Sequence, residues 1–218
     1  MARTQKITVS TVEAIVAAML AFERNGNTIV RRNDEGKIDN KQLIVDYFTR
    51  GEKATPELEA KAIALKNALS QRITLNAITG AKSNDFLVTI TDLFKEDKIT
   101  SFEFGLMAWA PKLFTDMAKA DDVRESMLRA GASSKYIGQV GKRTNINLTV
   151  TSCRYLNQYN SFIHQGMDEN GNIVVFFNKE KIESGTITAR IKAHRKDERL
   201  SNALVTVINY VKKVQNGS

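Results

Sequence analysis

Ile146-Asn147-Leu148-Thr149-Val150-Thr151 alternates apolar and polar residues without a break. A period of two is the signature of a strand with one face buried and the other wet. Downstream the same period returns. Ile187, Ala189, Ile191 and Ala193 alternate with Thr188, Arg190, Lys192 and His194. Two more strand-like runs, 161–167 and 172–178, flank Asp168-Glu169-Asn170-Gly171, which reads as a hairpin turn. A last run, 203–213, is rich in Val and Ile. Five short strands, with a helical pattern between them only at 179–183, predict a small closed barrel. SH3-like and OB-like barrels both fit. The long first strand region, 146 to about 156, favours the OB-like one, whose first strand bends and pairs with two neighbours.

Upstream the period is that of helices. Ser10 with Glu13 forms a capping box, and Val12, Ile15, Val16, Met19, Leu20 and Phe22 give an apolar stripe that Asn25-Gly26 ends. Residues 28–38, with Asn33-Asp34-Glu35-Gly36 as turn, predict a short β-hairpin. Asp39 or Asn40 starts a second helix, which Gly51 ends. Thr55-Pro56-Glu57 starts a long third helix running toward Gly80. A fourth is expected from Asn84 or Asp85 to Lys95. A fifth, capped by Thr100 with Glu103, breaks at Pro111, and a short last helix occupies 121–129. Gly131-Ala132-Ser133-Ser134 reads as the linker. The expected fold class is therefore α+β: a mainly helical domain over 1–134, then a small five-stranded OB-like β-barrel domain over 135–218.

Charge separates the same two parts. Residues 135–218 hold 13 Lys and Arg against 6 Asp and Glu, whereas 1–134 hold 19 against 18. A basic excess confined to the β part points to a polyanionic partner there. Cys153 is the only cysteine, so no internal disulfide forms, as in a reducing compartment. No apolar run is long enough for a membrane span, and no secretory signal pattern follows Arg3 and Lys6. A cytoplasmic location is expected.

The β part also carries short motifs. They are Tyr136-Ile137-Gly138-Gln139-Val140-Gly141, a strand ending at Arg154, Asp168-Glu169-Asn170-Gly171-Asn172, Val175-Phe176-Phe177, and Lys192-Ala193-His194. On these motifs, residues 136–214 resemble the C-terminal domain of small bacteriophage and prokaryotic proteins of DNA metabolism. The resemblance implies an OB-like nucleic-acid-binding module. The chain departs from the pattern at Asn209, where the resemblance implies Arg or Lys. Residues 1–134 resemble no family.

No catalytic constellation, cofactor motif or metal-ligand set stands out, so a non-enzymatic protein without cofactor or metal is expected. Phosphate-binding glycine loops are absent from the sequence. One Cys and two His make no usual zinc site. Single-strand binders instead combine aromatic rings for bases with Lys and Arg for phosphates. The candidates are Arg154, Tyr155, Tyr159 and Phe162 around the first hairpin, with Phe176 and Phe177, one of which must face outward. Arg190 and Lys192 on the fourth strand, and Arg195, Lys196 and Arg199 in the expected loop after it, complete the set. In OB folds that loop and the first hairpin loop flank the ligand face. The sequence thus predicts a single-stranded DNA- or RNA-binding protein of a replication or recombination system. A phage source, with the bacterial host cytoplasm as its setting, is one reading. The helical part would self-associate or contact replication or recombination proteins. Two rivals are a non-enzymatic protein–protein adaptor, or a host-takeover or assembly factor, docking through the barrel, and a duplex binder using a helix-turn-helix in 84–131. Low net charge in the helical part argues against the last.

Overall fold

The computed structural model describes residues 6–32 and 36–214. Helix α1 (Thr11–Arg24) starts where the capping box predicts. The Ser10 hydroxyl accepts the Glu13 N–H, and the Glu13 carboxylate accepts the Ser10 N–H at 3.3 Å. Its Ala14, Ala17 and Ala18 are small enough to bring α2 (Asn40–Thr49) and α3 (Pro56–Thr79) close, with Ile15, Ile44 and Leu69 fully buried. Thr55 caps α3 with Pro56 in its first turn, and Gly80 ends it at φ 67°, a left-handed position that favours glycine. Asn84 caps α4 (Asp85–Leu93). Among the described residues no helix is long and apolar enough to cross a membrane.

Three expectations for the helical part change. Residues 28–32 form no strand, and Asn33, Asp34 and Glu35 of the expected hairpin turn lie outside the described residues. The reason is Asn40. Its side chain accepts the Val30 N–H at 2.7 Å, and its own N–H donates to the Val30 carbonyl at 3.1 Å. The N–H and carbonyl of Val30 are thereby spent on the start of α2. A two-stranded antiparallel ribbon, β1 (Thr8–Ser10) with β2 (Lys98–Thr100), appears instead. Thr100 does engage the Glu103 carboxylate, yet only a single turn follows, α5 (Phe104–Met107). The helix restarts at Ala110, with Pro111 in its first turn, as α6 (Ala110–Gly131), and runs through Asp121 without interruption.

The second part holds β3 (Arg143–Leu156), β4 (Ser161–Met167), β5 (Ile173–Asn178), β6 (Gly185–Asp197) and β7 (Ala203–Lys213). They close in the order β3-β4-β5-β7-β6, with β5 and β7 parallel and the other pairs antiparallel. As expected of an OB-like barrel, the long first strand serves two neighbours. Its first half, Arg143 to Leu148, pairs with β6, and the rest pairs with β4 across an irregularity between Val150 and Ser152. The interior holds Ile146, Leu148, Val174, Phe176, Ile187 and Ile191. The helical pattern at 179–183 forms no helix; Ile182 buries there and its N–H donates to His164 Nε2 at 2.9 Å.

Gly166 sits opposite Val150 at that irregularity. A Cβ on it would lie 2.5 Å from the Thr149 carbonyl oxygen and 2.9 Å from Leu148 Cδ1. Backbone cannot yield as a side chain can, so Gly166→Ala is expected to cost about 1–3 kcal/mol of barrel stability. Urea denaturation checks this, and an unchanged midpoint would refute the close approach.

The compact units are Met1–Ala118 and Lys119–Ser218, which part inside α6. The end of α6 belongs to the barrel. Val123, Met127 and Ala130 pack on Ile173, Val175, Ala203 and Val205, the outward residues of β5 and β7. The small residues after it do not form a free linker. Ser134 is buried, its hydroxyl donating to the Leu204 carbonyl at 2.6 Å and accepting the Ile173 N–H at 3.0 Å.

Candidate nucleic-acid interface

Strand alternation places Phe176 inside, with no exposed area, and Phe177 outside, 51% exposed. Phe177 continues the outward column begun by Ile173 and Val175. Those two lie under α6, whereas Phe177 stays open. Register puts Phe177 beside Ile163 and Ile163 beside Arg154, giving a row across β5, β4 and β3. Tyr159, in the short turn after β3, is 61% exposed and meets Phe177 edge-on at 6.5 Å between ring centres. Two accessible rings and a guanidinium therefore share one side of the barrel.

Beyond Arg154 the surface sinks into a cleft of about 540 Å³. Arg124 of α6 and Arg199, in the turn after β6, line it together with Arg154. Sequence reading missed Arg124. Along the chain it sits among Asp121, Asp122 and Glu125, and only the packing of α6 on the sheet brings it here.

The other expected contacts divide. Tyr155 lies in β3 rather than in a loop, and its ring packs on Phe162 at 5.0 Å. Phe162 in turn lies 6.2 Å from the buried His164 ring, so this pair takes the opposite face of the hairpin from Arg154 and Phe177. Arg195 and Lys196 also prove to be strand residues, because β6 extends to Asp197. Arg195 pairs with the Asp197 carboxylate at 3.7 Å. Arg190 and Lys192 project from β6, where Arg190 stands opposite Arg143 of β3 and its Nε donates to the Gly141 carbonyl at 3.2 Å. That basic wall is separate from the β4–β5 face. Tyr210, near it on β7, is 64% exposed with φ 51°, a conformation an aromatic residue seldom adopts. At Asn209, where a basic residue was implied, the side chain sits opposite Arg190.

The short motifs prove to hold one another. Tyr136 stacks on His194 at 4.4 Å with planes 5° apart, and His194 Nε2 contacts the Ile137 carbonyl at 3.1 Å. The Asp168 carboxylate closes its own turn on the N–H groups of Asn170 and Asn172. Among the described residues no three His, Cys, Asp or Glu side chains gather in a metal-binding group.

No family model, no curated protein and no solved structure matches this chain. What stands of the resemblance is architecture: a helical region followed by a closed five-stranded barrel.

Proposed function

We propose that the barrel binds single-stranded nucleic acid, DNA foremost, across the β4–β5 face. The observation that carries this is the open pair Phe177–Tyr159 in a row with Arg154, on the part of the chain that holds the basic excess. Bases would stack on the two rings while Arg154 and Arg199 take phosphates, the division of labour of sequence-tolerant single-strand binders. Tyr155 and Phe162 serve the hairpin, and Arg190 and Lys192 serve a wall away from the rings.

Phe177→Ala and Tyr159→Ala should each weaken binding of labelled oligo-dT or oligo-rU by about 1–3 kcal/mol. Stability should move by less than about 0.5 kcal/mol, as at an ordinary surface position. Fluorescence anisotropy at two salt concentrations reads the first, and thermal melting the second. Four phosphate contacts would set a log–log salt slope of roughly −3. If neither change weakens binding, the stacking face is wrong. If no oligomer binds at low salt, the single-strand reading fails.

The helical unit supports a recruiting role. Met19, Phe22, Leu65 and Phe114 line an apolar groove of about 440 Å³, rimmed by Glu23 and Lys61. In a replication or recombination system it would contact a partner protein. If the Phe177 and Tyr159 changes abolish capture of a replication protein and leave oligonucleotide binding intact, the barrel is a docking module and the adaptor reading replaces this one.

A further inference from the structure

The arginine cleft offers more positive charge than one internal phosphodiester neutralises. Arg124, Arg154 and Arg199 come from three separate elements, are exposed, and have no ion-pair partner among the described residues. Two of the carboxylates close to them along the chain are engaged elsewhere. Glu125 lies 3.7 Å from Arg129, and Asp197 pairs with Arg195 while accepting the Arg199 main-chain N–H at 3.0 Å. The Ser152 hydroxyl and Gln165 amide add neutral donors, over apolar walls from Ile163 and Leu200. An internal phosphodiester brings one charge and two unesterified oxygens. A terminal phosphate brings about 1.5 to 2 charges near pH 7 and three strong acceptor oxygens. Three guanidinium forks, each able to bind an oxyanion through two N–H groups, match the second better.

We propose that this cleft binds the terminal phosphate of a single-stranded nucleic acid, so that the protein prefers phosphorylated strand ends. The inference rests on the single-strand reading above. It gains from the position of Arg154, which borders the cleft and also stands in the row that ends at Phe177. Two interstrand spacings, about 10 Å, separate those two positions. A strand whose last bases lie on Phe177 and Tyr159 can therefore place its end among the guanidiniums.

The test uses the full chain and three oligo-dT strands of one length, carrying a 5′-phosphate, a 3′-phosphate or hydroxyls at both ends. One phosphorylated strand is expected to bind about tenfold tighter than the hydroxyl-ended strand. Arg124→Gln and Arg199→Gln should each bring that ratio close to one. Arg129→Gln, which removes the same charge from the same helix outside the cleft, should leave it. Inorganic phosphate should compete with the phosphorylated strand more strongly than with the hydroxyl-ended one. Equal affinity for all three strands, or a ratio that survives both cleft variants, overturns the terminal-phosphate site. In that case Phe177-dependent binding of the hydroxyl-ended strand would leave the single-strand reading standing. Absence of binding to every strand would overturn both.

Discussion

Phe176→Ala is expected to cost about 3–5 kcal/mol of barrel stability, while Phe177→Ala, one residue on, costs less than about 0.5 kcal/mol. Phe176 has no exposed area, sits among Val174, Ile187 and Ile191, and stacks on His164 at 4.5 Å with planes 2° apart. Truncation leaves a hole bounded by strands that are tied into a closed barrel, so the walls cannot collapse far to fill it. Phe177 loses only partial cover. Urea denaturation of the two variants, followed by a barrel-specific probe, measures the contrast. The reverse order of losses would mean that β5 is shifted by one residue, because a one-residue slip exchanges its faces. The row Arg154–Ile163–Phe177 would then not exist.

The barrel was legible because its strands alternate. Ile146 and Leu148 on β3 and Ile187, Ala189 and Ile191 on β6 all face inward, as the period of two requires. Length alone announced that β3 would serve two partners. The adjacent phenylalanines were not decidable, since period two fixes that they differ and not which is inside. The small residues at 131–134 have a packing reason. Gly131 and Ser134 look like a linker, but they are small because the end of α6 is held against β7. A Cβ on Gly131 would lie 2.8 Å from Ala203 Cβ, and Ser134 spends its hydroxyl on two backbone groups. Asp121 resembled a helix start because acidic residues favour helix N-termini, yet nothing around it stops a helix already running. Arg124 had no local signal. Its role in the cleft depends on the contact of α6 with β5, which joins residues some fifty positions apart in the chain. The basic loop expected at 194–199 was mostly strand, since β6 keeps pairing with β7 as far as Asp197 and Ala203.

The barrel should also lose stability in mild acid, through His164. The ring is fully buried between Phe162 and Phe176, and its Nε2 accepts the Ile182 N–H, which requires the neutral form. Burial lowers its pKa below the ordinary 6.5, with a Phe162 main-chain group opposing weakly. Neither the rings nor Ile182 offers a counter-charge, and an uncompensated buried charge costs several kcal/mol. The unfolded chain takes up a proton near pH 6.5 and the folded barrel resists it. Stability from this group is therefore complete above about pH 6.5 and falls as pH drops toward the folded-state pKa. The slope approaches about 1.4 kcal/mol per pH unit while only the unfolded state is protonated. His164→Gln keeps an acceptor for Ile182 and removes the titration. The variant will start from lower stability because it loses the stack on Phe176, but its unfolding free energy should be flatter between pH 7 and pH 5. Equally steep acid loss in both proteins would assign the slope to carboxylates and leave His164 a packing residue alone.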